Sequence, residues 1–179
     1  MPTSVPPLAA SGPAVVTDIV RESRQWRDRR LDGIIQRAAA AALRAAGVAI
    51  PGIAEISILL TNDTGIRALN RAWRGIDKPT NVLSFPTPPG VPEAARRHLG
   101  DVALAYETLA REAADEGKAF ADHLSHLVVH GVLHLVGFDH AAADDAATME
   151  AREVGALARL GIADPYTDRE RVAVKRAKA

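Results

Sequence analysis

The sequence predicts a single α/β domain of the α+β kind, a small mixed β-sheet of about four strands packed with about five helices. Three observations carry that expectation. The chain has 179 residues, the size of one domain with a core of its own. Strand-like and helix-like segments alternate through the first half; two further strand-like segments and an all-helical remainder follow. No segment repeats another, which sets aside solenoids and propellers.

The opening MPTSVPPLAASGP (1–13), rich in Pro, Ser and Ala, is expected to be a disordered tail. It has no basic region followed by an apolar run, so it does not read as a secretory signal. AVVTDIV (14–20) reads as the first strand. From Asp28 to Ala46, the residues Leu31, Ile34, Ile35, Ala38, Ala42 and Leu43 recur at helical spacing, and Gly47 suits the end of that helix. AEISILLT (54–61) is a second strand, apolar enough to be central. Two strands joined by a helix should run parallel.

DTGIRALNRAWR (63–74) is a second helix, capped by Asn62 or Asp63 and stopped by Gly75. NVLSFP (81–86) and GDVALAY (100–106) are strand-like, and the proline-rich TPPGVPEAARRHLG between them allows antiparallel pairing through a long loop. Helices are expected over roughly 107–117, 121–136 and 144–160, with DPY (164–166) ending the last, because the residue before Pro165 disfavours helix. The domain therefore spans 14–166. The charged stretch 167–179 is expected to be a flexible tail.

Composition narrows the function. The chain has no cysteine, which excludes disulfides and thiolate metal sites and suits a reducing compartment. No apolar run approaches the roughly 20 residues that cross a bilayer, so a soluble, cytoplasmic protein without a membrane partner is expected. Formal net charge is zero, against a protein that holds nucleic acid by bulk electrostatics. Any nucleic-acid contact must be local and oriented.

The chemistry-bearing segment is LSHLVVHGVLHLVGFDH (124–140). Its helical part is apolar on nearly every side apart from its histidines, so the helix should be buried. A buried imidazole has a donor and an acceptor nitrogen, and each needs a partner. His130 and His134 stand four apart, neighbours on one face whose ring nitrogens can converge on one zinc ion. His126 and His123 lie upstream on the helix. His126 to His134 is about 12 Å of helix rise, too far for one ion to take both along with His130, so these two read as supporting residues. Gly137 can adopt the left-handed conformation that ends a helix and folds His140 back toward the pair. Three imidazoles with an open position describe a catalytic rather than a structural zinc, and Asp139 could orient a ligand from behind. An HxxxH pair alone is more often ordinary core or surface histidine; the added glycine and third histidine favour the metal.

The spacing H-x-x-x-H-x-x-G-x-x-H is that of the metzincin metalloproteases, which need Glu directly after the first His. That position is Gly131 here, which argues against proteolysis by that route. A substrate with a more anionic transition state would need a cation opposite the metal. Arg67, Arg71 and Arg74 fall on one helix face opposite Ile66, Leu69 and Trp73. The first two read as solvated charge. Arg74, directly before Gly75 and the loop GIDKPTN, is placed to reach into a cleft and to contact phosphate.

LNRAWRGIDKPTNVLSFP (69–86), LGDVALA (99–105) and HGVLHLVGFDH (130–140) together resemble the YbeY family of bacterial rRNA-maturation endoribonucleases, from about residue 14 to 166. The resemblance implies a single-strand-specific, metal-dependent endoribonuclease acting in 16S rRNA 3′-end maturation and ribosome quality control. It implies one Zn2+ held by His130, His134 and His140, and a functional arginine at Arg74. Trp73 stands where the family's motif more usually has Tyr, expected to be a packing change. RNA in the form of the 16S rRNA precursor and ribosome is the implied partner, with ribosomal proteins or an assembly GTPase as recruiters. A cleft between the 121–136 helix and the sheet edge carrying NVLSF is expected to take the RNA strand, with Lys78 adding a backbone contact. Two alternatives stay open at this point: a metallohydrolase of another substrate, and a non-catalytic ribosome-assembly factor whose metal staples the fold. Imidazoles accept Zn, Ni, Cu and Fe alike.

Overall fold

The computed structural model describes residues 14–90, 96–140 and 142–167. The two expected tails lie outside the described residues, apart from Thr167. Among them the chain runs β1 (Ala14–Arg21), a 3₁₀ turn (Arg24–Trp26), α1 (Arg30–Ala46), β2 (Ile53–Thr61), α2 (Asp63–Arg74), β3 (Val82–Pro86), β4 (Arg96–Ala105), α3 (Tyr106–Asp115), α4 (Phe120–Leu135) and α5 (Ala143–Arg159). The fold is therefore the expected α+β arrangement, a mixed sheet of order β1-β2-β4-β3 with five helices. β1, β2 and β4 are parallel, and β3 pairs antiparallel with β4 at one edge. β2 is interior, as its apolar sequence requires.

β4 corrects the sequence reading. It begins at Arg96, inside the segment expected to be loop, because RRH pairs with the start of β2 where side chains face water and no apolar alternation marks a strand. Arg96 there meets Glu55 at 3.0 Å. The register shifts between Glu55 and Ile56, which pair with His98 and Gly100 and leave Leu99 as the extra residue of a bulge. Gly100 is required at this bulge: its φ is +138°, and a Cβ would collide with the Phe85 carbonyl oxygen.

Alternation along β3 and β4 divides the molecule into two layers. One face carries Val102 and Leu104, which join a core built from α1, α4 and α5. The other carries Leu83, Ala103 and Ala105, which pack against Ile66 of α2. Few aromatics are available, so alanines 38, 39, 41, 42, 45 and 46 of α1 let the helices approach closely. Trp26 is the exception: fully buried, its indole N–H donates to the Thr61 carbonyl at 2.7 Å, and its ring meets Tyr106 edge-on at 5.1 Å. α4 is the buried helix its composition predicts; Leu124 and Leu133 are 0% exposed, each worth about 1.5–3 kcal/mol of burial.

Helix ends follow local chemistry. The Asn62 side-chain oxygen accepts from the Gly65 N–H at 2.8 Å, and Gly75 at φ +71° closes α2. α5 ends within one residue of the expected bound, though Pro165 is not what turns the chain. Gly161 at φ +73° reverses the chain, with Ile162 N–H returned to the Leu157 carbonyl at 3.0 Å, so the helix is over before Asp164-Pro165. No helix among the described residues is long and apolar enough to cross a membrane.

Candidate metal centre and substrate cleft

α4 ends where Gly137 takes φ +94°. Its N–H donates to the His134 carbonyl at 3.1 Å and the Phe138 N–H to the Leu133 carbonyl at 3.1 Å, the paired bonds that close a helix and turn the chain back. The turn brings the His140 ring to 5.6 Å from His130 and 5.1 Å from His134, whose own rings are 4.7 Å apart. One ligand atom from each of the three lies within 4.8 Å of the others. The Nε2 atoms of His130 and His134 face each other at 3.2 Å. Two imidazole nitrogens held about 2.0–2.1 Å from one ion at near-tetrahedral angles stand about 3.3 Å apart, so this pair fits a shared divalent cation. His134 is kept neutral for such a role: burial lowers its pKa, and the neighbouring His130 and His140 charges lower it further.

Behind the histidines lies a residue that the sequence reading missed. Glu153 of α5 is 1% exposed and receives the His130 Nδ1–H at 2.7 Å and the His126 Nε2–H at 3.0 Å. The Tyr166 hydroxyl donates to the same carboxylate. Burial alone would push the Glu153 carboxyl up, but the hydrogen bonds from His126, His130 and Tyr166 outweigh it and hold the group at about 2. Because a carboxylate only accepts, His130 must carry its proton on Nδ1 and present a free Nε2 to His134 and His140. The signal was present: Met149, Glu153, Ala156 and Leu157 share the buried face of α5, a glutamate where the period calls for an apolar residue. His123 is buried likewise and donates from Nε2 to Glu112 at 2.9 Å, which also accepts from Asn81 at 2.9 Å. His126 and His123 are thus tied to carboxylates outside the three-histidine group, as supporting residues would be.

Beside the centre opens a cleft of about 1200 Å³. His130, His140, His126, Glu153 and Tyr166 line it, together with Asn81, Glu112, Glu116, Lys118 and Glu150. It touches the β3 edge only at Asn81 and Val82, because farther along β3 the Ser84 hydroxyl donates to the Gly131 carbonyl at 3.1 Å and α4 packs directly on the sheet. A Cβ at Gly131 would sit 2.8 Å from Val102 Cγ1 and 3.1 Å from Ser84 Oγ. The position that a metzincin gives to its glutamate has no room for any side chain.

The remaining predicted site residues are dispersed. The Asp139 carboxylate accepts from the His140 backbone N–H at 2.7 Å and lies 3.7 Å from His140 Nδ1, both side chains exposed. Lys78 is exposed, and its carbonyl accepts from the Asn70 amide at 2.8 Å. Arg67 is paired with Asp77 at 2.8 Å. Arg74 does not line the cleft. It ends α2, which covers the sheet face opposite α4. The two sites still share one end of the sheet: Leu135 of α4 packs at Gly100, while Phe85, paired with Asp101 beside it, meets Trp73 at 5.5 Å. Trp73 is not the packing residue expected of it, since 71% of its surface is exposed.

A family model described as endoribonuclease YbeY matches residues 18–161. A Bradyrhizobium sp. strain BTAi1 protein named endoribonuclease YbeY is 50% identical over 165 residues, covering 89% of this chain and 97% of that protein. Another of that name from Rhodopseudomonas palustris strain BisB5 is 49% identical over 179 residues, covering 95% and 90%. A solution structure from Thermotoga maritima superposes with a TM-score of 0.51 at 20% identity, over 81% of this chain and 91% of that one, and shares the fold. Identity near one half, sustained over most of both chains, leaves one assignment: this chain belongs to the endoribonuclease YbeY family.

Proposed function

We propose that the chain is a single-strand-specific, metal-dependent endoribonuclease acting in 16S rRNA 3′-end maturation and ribosome quality control, with one Zn2+ held by His130, His134 and His140. The observation that carries this reading is the convergence of those three imidazoles in a chain of the YbeY family. A bound divalent ion supplies a water of lowered pKa and polarises a phosphoryl oxygen.

The chain's own residues do the rest. Glu153 fixes the His130 ring so that Nε2 is available, and the turn at Gly137 sets His140 against the pair. Asp139, hydrogen-bonded to the His140 backbone, restrains that turn. Arg74 and Lys78 are the cations for the RNA backbone. Exposure leaves the Arg74 guanidinium free to grip a phosphate bidentately and offset charge that develops near it, from the far side of the β3 edge. Zero net charge gives the chain no general attraction for RNA, which supports recruitment to the ribosome by a ribosomal protein or an assembly GTPase, in the cytoplasm.

The test is incubation of the purified protein with a labelled RNA bearing an unpaired 3′ extension, beside unstructured casein. His134→Ala and chelator-treated samples run in parallel. RNA should be cut only by the intact, metal-loaded protein, and the product ends name the nucleophile: a cyclic phosphate for the 2′-hydroxyl, a 5′ phosphate for water. Cleavage of casein instead, or of neither, overturns the reading.

A further inference from the structure

The apolar stripe of α2 runs off the sheet. Ile66 is fully buried, Leu69 is half-buried, and Trp73, the next position on the same face, is 71% exposed. An indole is highly buried on average, and tryptophan is enriched at interfaces. Phe85 of β3 supports it from one side, ring centroids 5.5 Å apart and planes at 59°. Just past the helix, Ile76 is 45% exposed. Three cations stand near Trp73 along the chain, Arg71, Arg74 and Lys78, all exposed and with no carboxylate partner among the described residues. An exposed indole followed directly by an exposed arginine suits a base and its phosphate better than an apolar protein surface.

Charge also sets the direction from which a polyanion can reach the histidines. Glu112, Asp115, Glu116 and Glu150 line the cleft, with Lys118 their one lysine or arginine counterweight there among the described residues. A strand lying along that wall would be repelled. Round the β3 edge the sign reverses, and Trp73, Phe85, Gly100 and Leu135 form a continuous series of contacts from the end of α2 to the end of α4 that bears His134.

We propose that Trp73 is a stacking platform for an unpaired RNA base, with Arg74 gripping the adjoining phosphate, so that the strand passes from the histidine centre around the β3 edge onto the end of α2. The proposal rests on the endoribonuclease reading and adds where the flanking nucleotides lie. It also gives the preference for unpaired RNA a cause, because a duplexed base cannot offer its face to an indole.

The chain has two tryptophans, and Trp26 is 0% exposed, so quenching of the accessible indole reports on Trp73. Full-length, metal-loaded protein is titrated with a short unstructured RNA, and with the same RNA annealed to its complement. Wild type should be quenched by the single strand and not by the duplex. Trp73→Ala should raise KM for the single strand about tenfold or more, with metal content and melting temperature unchanged, and Trp73→Phe should recover most of the loss. If wild type cuts RNA while Trp73→Ala keeps the wild-type KM, the platform falls and the nuclease reading survives. If Trp73→Ala instead abolishes a dimer of the wild type, the occupant is a second copy, and the proposal is equally overturned. Wild type that neither binds nor cuts RNA removes both readings together.

Discussion

Glu153 and His130, 23 residues apart on different helices, are joined by a 2.7 Å hydrogen bond from the imidazole Nδ1 to a carboxylate that is 1% exposed. The bond decides which nitrogen of His130 is left for a metal, and the same carboxylate gathers His126 and Tyr166. Glu153→Gln replaces one acceptor oxygen with a donor and sets it against an imidazole N–H. Metal affinity should fall about 10- to 100-fold, measured by competition with a coloured chelator. An unchanged affinity with intact folding would mean that the histidine geometry is set without the carboxylate.

Gly131 should tolerate nothing larger. Its missing Cβ keeps α4 against Val102 and Ser84, so Gly131→Ala should cost about 1–3 kcal/mol in urea unfolding. Gly131→Glu should lose more stability still and acquire no activity on casein. A soluble, fully stable Gly131→Glu protein would show that the helix can lift from the sheet at little cost.

Arg74 and the metal are separable. Arg74→Ala should lower RNA turnover strongly while metal content stays at the wild-type level, because α2 and α4 cover opposite sheet faces. His134→Ala should lose both. Equal loss of metal and turnover in Arg74→Ala would remove the arginine from any direct role in handling RNA.

Stability should fall in acid through two carboxylates held by hydrogen bonds, Glu112 and Glu153. Burial pushes Glu112 up, but the hydrogen bonds from His123 and Asn81, with the His123 and Arg111 charges, outweigh it and leave its pKa below the ordinary 4.5. A carboxyl that binds its proton less readily when folded contributes stability above pH 4.5 and loses it as pH falls through the folded value. Glu153 acts with the same sign between 4.5 and about 2. Urea unfolding from pH 7 to 3 should show this decline, and Glu112→Gln should flatten its upper part. A variant whose pH profile ran parallel to wild type would show that Glu112 is not a contributor.

Much of the centre was legible because it is local. Four-residue spacing puts His130 and His134 on one helix face whatever the rest of the chain does, and a glycine able to take positive φ turns the next residues back, so His140 could be placed from the sequence. The strand and helix alternation that gave the mixed sheet is equally a matter of backbone period. Arg96 to His98 escaped notice because all three are exposed charged or polar residues, and hydrophobic alternation has nothing there to report. The extent of α5 was legible to within a residue, although Gly161 and not Pro165 turns the chain there.

The sequence by itself determined the three imidazoles, the turn between them and the class of fold, all consequences of backbone geometry over a few residues. Only the tertiary structure decided that Glu153 stands behind His130, that Gly131 is closed off by Val102, and that the end of α2 carries Trp73 past the sheet into solvent. Each of those depends on how helices dock on the sheet. Docking is set by the summed burial of many distant side chains, and no short stretch of sequence contains that sum.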